Sequence, residues 1–309
     1  MNALTELQQF FTDPLMQRSL IAAIIVGIAA PVMGTYLVQR KLSLLGDGIG
    51  HVALTGVALG WIVGSAMGLV EKDSLAIPGA VVAAVVGAVV IEFVRERGKT
   101  SGDVALALLF YSGIAGGVVL IGLAGGTNAN LMAYLFGSIS TVTQLDLLLI
   151  AGLGVVIIAV GVGLRSLLFA ISNDEEFARA SGLPVRAANV VIAIIAALTV
   201  TVSMRVVGLL LVSAIMILPV AVAQLVTASF KTTMRVAMVV GVLVTVAGLM
   251  ITYWVPLSPG ATIVMVTVLV YALVAAITPL VKTSHSKGVD PHPDVPDDVT
   301  LDEEETCNE

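Results

Sequence analysis

The sequence predicts an all-α, polytopic integral membrane protein, and three observations carry that prediction. Hydrophobic residues make up 58% of the chain and charged residues 12%. Mean hydropathy is +1.05. Apolar runs of about twenty residues, the length that crosses a bilayer as a helix, recur along the chain. Where no water is present a helix is the structure that satisfies its own backbone. Nine such runs fall at roughly 19–38, 45–69, 75–94, 103–124, 145–168, 187–204, 206–227, 234–254 and 260–280.

The first run follows eighteen residues that hold Glu6 and Asp13, with Arg18 as the only base. That is a poor signal-peptide n-region, so the run reads as a retained span and 1–18 as an extracytoplasmic segment. The second run carries Gly56, Gly60, Gly64 and Gly68 at every fourth position, a ridge that lets a neighbouring helix approach closely. After the third run comes Gly98-Lys99-Thr100, which mimics the end of a phosphate-binding loop. The upstream glycine position is Phe93 and the strand-to-helix context is missing, so it is a decoy. The stretch 125–144 is too polar to span and reads as a short interfacial helix anchored by Tyr134 and Phe136.

Between the fifth and sixth runs, 171–189 is the one sizeable hydrophilic internal loop. Ser172 or Asn173 can cap a short helix there, with Asp174, Glu175 and Glu176 in its first turn, Gly182 as its stop and Pro184 beyond. Such a helix, with Phe177 and Arg179 on it, is something a partner protein can grip. Only the Arg205 region separates the sixth and seventh runs, so one of them is short or re-entrant, and eight crossings stand beside nine.

The net charge of −6 sits in the tail. Residues 282–309 hold nine of the 21 acids against Lys282 and Lys287, which leaves twelve acids and thirteen bases in the body 19–281 and its N-terminal segment. The tail, with its prolines and Asp302-Glu303-Glu304-Glu305, cannot bury a core and is expected to be disordered. Basic clusters at Arg40/Lys41, Arg95/Arg97/Lys99, Arg165/Arg179/Arg186, Lys231/Arg235 and Lys282 all fall on one side if the N-terminus is outside, and the excess of positive charge makes that side cytoplasmic. Nothing points to a nucleic-acid surface. A single cysteine, Cys307, excludes an intrachain disulfide or a cysteine metal cluster.

Asp47 and His51 stand out chemically. An ionisable residue at membrane depth costs roughly 2.5–3.5 kcal/mol on insertion scales, so it needs a reason. Their spacing places both on one helix face, and a carboxylate beside an imidazole is a transient seat for a divalent cation. From His51 to Gly56 the helix turns about 140° at ~3.6 residues per turn, so the glycine ridge points largely away from this face. A buried pair satisfying itself or a backbone group and a proton relay are the competing readings. No serine nucleophile, HExxH motif or paired carboxylates appear, so an enzyme is not expected.

Three stretches, SLLGDGIGHVALTGVALG (43–60), NDEEFARASGLPV (173–185) and VVGLLLVSAIMILPVAVAQLV (206–226), resemble the signature regions of the ABC-3 family, in the right order within about 15–281. These are membrane permeases of bacterial zinc, manganese and iron(II) ABC importers, with a type II-like fold. The resemblance implies a homodimer in the plasma membrane, two separate cytoplasmic ATPases that bind the ATP, and an extracytoplasmic metal-binding protein that delivers the ion. It implies that Asp47 and His51 line the translocation path and that 173–185 docks into the ATPase. No permanently bound cofactor is implied; the metal is cargo. A histidine-rich loop, present in some zinc systems, is absent, which leaves zinc, manganese and iron(II) open. An ion- or proton-coupled secondary transporter and a permease for a metal chelate are the alternatives. The first predicts inverted repeats and gives 173–185 no task.

Overall fold

Apolar runs that must satisfy their backbone without water become helices, and the computed structural model shows them over its described residues, 12–68, 72–96, 102–125, 132, 134–137 and 142–283. In chain order these are α1 (Pro14–Gln39), α2 (Leu45–Ala66), α3 (Ala76–Glu96), α4 (Gly102–Leu123), α5 (Gln144–Gly163), α6 (Arg165–Asn173), α7 (Glu175–Ala180), α8 (Val185–Val207), α9 (Val212–Val226), α10 (Phe230–Trp254) and α11 (Pro259–Thr283). Short 3-10 turns at Lys72–Leu75 and Leu209–Leu211 precede α3 and α9. Among the described residues nine helical segments are long and apolar enough to cross a membrane, the seventh being Leu209–Val226.

α1 and α8 form the middle of the bundle. α1 packs against α5, α8, α9 and α10, while α2 is held between α3 and α4 and also touches α8. Small residues set these approaches. Pro31 lacks the N–H that would bond the Gly27 carbonyl; the Gly241 backbone of α10 lies against that carbonyl, and Thr245 Oγ1 donates across to Ala23 O at 3.2 Å. Buried threonines bond within their own helices, as Thr35 does to Pro31 O (2.7 Å) and Thr199 to Ile195 O (2.7 Å), which removes the cost of an unpaired hydroxyl.

The basic end of the bundle gathers Arg40, the end of α3, the α5–α8 connection and the start of α10. Arg40 pairs with Glu175, Arg186 with Glu96, and Phe169 stacks on Phe230 at 4.6 Å. Arg97, Lys99, 1–11 and the tail 284–309 lie outside the described residues.

Three expectations change, and the expectation of one short run beside Arg205 is met by the seventh. The first helix begins at Pro14, capped by Asp13 Oδ1 on the Leu15 N–H at 2.9 Å, so 14–18 belong to it. The fifth run divides at Leu164 into α5 and α6. The seventh run is short because Gly208 (φ 89) ends α8 and only fifteen α-helical residues follow the 3-10 turn. Tyr134 is 6% exposed and packs edge-on against Trp61 at 5.6 Å, so it is a core residue and no interfacial anchor; Phe136 stays partly exposed, its carbonyl accepting from Ser258 Oγ at 3.0 Å.

Candidate functional site

α2 starts just after the basic end, so Asp47 lies in its first turn and His51 one turn further along. The pair therefore sits in the part of the span nearest Arg40, not at mid-depth. Asp47 is half-buried in the wall of a cavity of about 380 Å³ shared with Leu44, Leu106, Ala107, Phe110 and Tyr111. Leu44 and Tyr111 are 64% and 69% exposed, so the cavity opens on the flank of the chain. His51 is 7% exposed, with its ring against the Phe110 ring at 4.5 Å and 81°. Its Nδ1 is buried and has no hydrogen-bond partner. A buried polar atom left so costs about 1–3 kcal/mol; Ser172 Oγ, Asn189 Oδ1, Ser203 Oγ and Ser213 Oγ share that state, and this nitrogen is the one among them that belongs to a metal-ligating ring beside a carboxylate. Among the described residues no group of three or more His, Cys, Asp or Glu side chains comes together. The described residues of one chain thus offer a cation a carboxylate and an imidazole here.

The two faces of α2 differ as their residues dictate. On one, Gly56 and Gly60 meet the backbone of α3: a Cβ on Gly56 would stand 2.6 Å from the Ala83 Cβ, and one on Gly60 would overlap the Leu75 carbonyl. Gly64 is buried on the same helix. Gly68 does not extend the ridge. The helix stops at Ala66, Gly68 turns the chain at φ 68, and nothing lies within 4 Å of the position its Cβ would take. On the other face α4 brings its own glycines. A Cβ on Gly113 would be 2.6 Å from the His51 carbonyl carbon, and Thr55 Oγ1 donates to Gly113 O at 2.9 Å. Gly113 and Gly117 share the four-residue spacing of the first ridge, and that spacing is the signal by which the sequence could have paired α4 with the Asp/His face.

At the basic end the cap of α7 is Asp174, whose Oδ1 accepts from the Phe177 N–H at 2.8 Å, while Ser172 and Asn173 close α6. The cap thus moves one residue along from the expected pair, because α6 runs through Asn173. Glu176, Phe177 and Arg179 are exposed, Phe177 at 71%. Glu175 is committed within the chain: Arg40 Nη2 lies at 3.1 Å, Arg179 Nη2 at 3.0 Å and Asn189 Nδ2 at 3.4 Å. The Arg40 side chain is 6% exposed. Burial pulls its pKa below the usual arginine value, against Glu92 and Glu175, which favour the charge. Gly182 (φ 77) ends α7, its N–H bonding Arg179 O and that of Leu183 bonding Ala178 O, the paired bonds of a Schellman motif. Glu92, Arg95, Glu96, Arg179 and Asn189 line a groove of about 750 Å³ beside α7. Arg40, Glu92 and Asn189 carry no sequence signal for this cluster beyond the presence of Glu92 in an apolar run.

The comparisons agree on one family. The model of the ABC 3 transport family matches residues 12–278. The manganese transport system membrane protein MntC of Halalkalibacterium halodurans is 30% identical over 275 residues, covering 87% of this chain and 91% of that protein. The manganese import system permease protein ScaB of Streptococcus parasanguinis is 31% identical over 273 residues, covering 88% and 93%. Among solved structures, PsaBC from Streptococcus pneumoniae in complex with Fab superposes with a TM-score of 0.79 at 28% identity, covering 92% of this chain and all of that one. With the family model matched over residues 12–278 and nine apolar helices among the described residues, the chain belongs to the ABC 3 transport family.

Proposed function

We propose that this chain is the membrane permease of an ATP-driven importer of a divalent transition metal, manganese before zinc, with Asp47 and His51 on the ion's path. The unpaired, buried Nδ1 of His51, one turn from a carboxylate facing a cavity, carries the reading. Imidazole and carboxylate together suit manganese and zinc. The relatives that are 30% and 31% identical are named for manganese, which supports putting it before zinc. A two-ligand seat binds weakly, and a path must release what it binds.

The cavity opens on a flank where Leu44, Leu108 and Tyr111 are exposed. A carboxylate facing lipid is unfavourable, so this flank is read as the interface with a second copy, which brings its own Asp47 and His51. The chain catalyses nothing itself; ATP hydrolysis belongs to two partner ATPases. We assign Glu176, Phe177, Arg179 and the groove beside α7 to their docking, with Glu175 holding α7 in place and Gly182 setting its exit. The basic end, and with it the C-terminus, then faces the cytoplasm of the bacterial cell, and an extracytoplasmic protein delivers the metal at the opposite end.

The test is uptake of radioactive manganese and zinc into proteoliposomes holding the permease, ATPase and binding protein. Asp47→Asn and His51→Ala are each expected to lower uptake about 100-fold or more, the scale of losing a metal ligand or its support, with the assembled complex intact by size-exclusion chromatography. Uptake at the wild-type rate in either variant overturns the path.

A further inference from the structure

We infer that Arg40 is a positioning residue for transport: it ties the coupling helix α7 to the turn that leads into α2, so displacement of α7 reaches Asp47 through α1 and this turn. The inference rests on the reading of α7 as the ATPase contact. The pairing is long-range, Arg40 and Glu175 being 135 residues apart in the chain. A nearly buried guanidinium that loses its hydrogen-bonded carboxylate keeps only the more general attraction of Glu92, so the two ends resist separation. Gln39 Nε2 donates to Asn173 Oδ1 at 3.0 Å and forms a second tie between the same segments.

The turn that follows is rigid by its own bonds. Lys41 takes φ 57, its N–H bonds Val38 O at 3.1 Å, and the Leu42 N–H bonds Leu37 O at 2.8 Å. These are the two bonds of a Schellman cap. The Leu45 N–H then bonds Leu42 O at 3.0 Å, and α2 begins there. Arg40 and Asp47 are thus joined by six intervening residues with hydrogen bonds at both ends of the link. The covalent continuation of α7 runs elsewhere, through Pro184 into α8, which carries none of the path residues. A second contact supports the same route: Gly34 of α1 lies against the Met216 backbone of α9, and Gly46, next to Asp47, faces Ser213 and Met216 of that helix.

The experiment uses the full complex in proteoliposomes and reads metal taken up per ATP hydrolysed. Arg40→Gln is expected to lower that ratio about tenfold, within the usual range of coupling between sites, and Arg40→Lys, which keeps a charge for Glu175, only about threefold. A second arm links Gln39→Cys to Asn173→Cys with a short bifunctional thiol reagent, in a Cys307→Ser background. If the segments move as one body, the link leaves the ratio within about twofold of the unlinked protein. An Arg40→Gln complex that keeps the wild-type ratio, or a link that stops uptake while ATP is still hydrolysed, overturns the inference. If Arg40→Gln fails to assemble, the linked protein decides by the same criterion. Wild-type complexes that take up no metal overturn the importer reading and this inference with it, whereas wild-type uptake that Arg40→Gln retains overturns the role of Arg40 alone.

Discussion

Two polar regions of this apolar chain treat their ionisable side chains in opposite ways. On α2, His51 keeps a buried ring nitrogen unpaired and Asp47 faces a cavity. At the basic end Arg40, Glu92, Arg95, Glu96, Glu175, Arg179 and Arg186 are all in ion pairs. An unpaired buried atom costs stability that a paired one does not, so the first arrangement suits a visiting ligand and the second a fixed shape. Nearness to a charge is therefore a poor guide to function in a membrane bundle. What separates the two regions is whether the ionisable side chains pair with one another, since Ser172 Oγ and Asn189 Oδ1 at the basic end are also buried without a partner.

The sharpest test replaces His51 with Phe. The new ring keeps the edge contact with Phe110 and removes the unpaired nitrogen, so uptake should fall about 100-fold while the thermal midpoint in detergent holds or rises. A lower midpoint would mean that His51 stabilises the fold. The next effect is on stability at the other region. Glu175→Ala removes the hydrogen-bonded partner of Arg40 and leaves it the charge of Glu92, and because the Glu175 side chain is 36% exposed the loss should fall between those of surface and buried pairs. That places it at about 1–3 kcal/mol, the cost of leaving a buried partner unsatisfied. The Arg186 side chain is 85% exposed opposite Glu96. Arg186→Ala should therefore leave the midpoint almost where it is, as surface pairs contribute little. Equal shifts in the two variants would break the distinction between a fixed network and a solvated one. Phe177→Ala and Gly182→Val should be visible in coupling. The first should leave the midpoint unchanged. The second should cost about 1–2 kcal/mol, the penalty of a left-handed backbone for an L residue. Both should lower the stimulation of ATP hydrolysis by the binding protein, and unchanged stimulation would remove α7 from the coupling.

The spans were legible because hydropathy alone fixes a helix that must cross lipid, and all nine runs reappear as helices. Their arrangement was not. Runs that are apolar on every side carry no stripe to say which of them is central, so nothing in α1 or α8 announced a place in the middle of the bundle. Asp47 and His51 were legible as polar residues in an apolar helix. The unpaired state of the His51 nitrogen was not, because it depends on Phe110 and Gly113 of α4. Arg40 read as a marker of orientation, since its carboxylate lies on a distant loop. The sequence also marked Gly68 as part of a ridge, because a period of four continues across a helix end that only the backbone reveals.

The meeting of Gly137, Gly208 and Gly260 at the end of the bundle opposite Arg40 has a consequence for how this protein can change. A Cβ on Gly208 would collide with the Phe136 and Gly137 backbone, one on Gly137 would stand 2.7 Å from Val206 O, and one on Gly260 would overlap Val207 O. Three chain segments meet there main chain to main chain, and no flexible side chain is available to absorb an added methyl group. Variation at this junction is all or nothing, whereas an ion pair such as Arg186–Glu96 can drift through intermediate substitutions. The basic end can therefore be varied in steps, while at the other end three positions leave no room for a side chain.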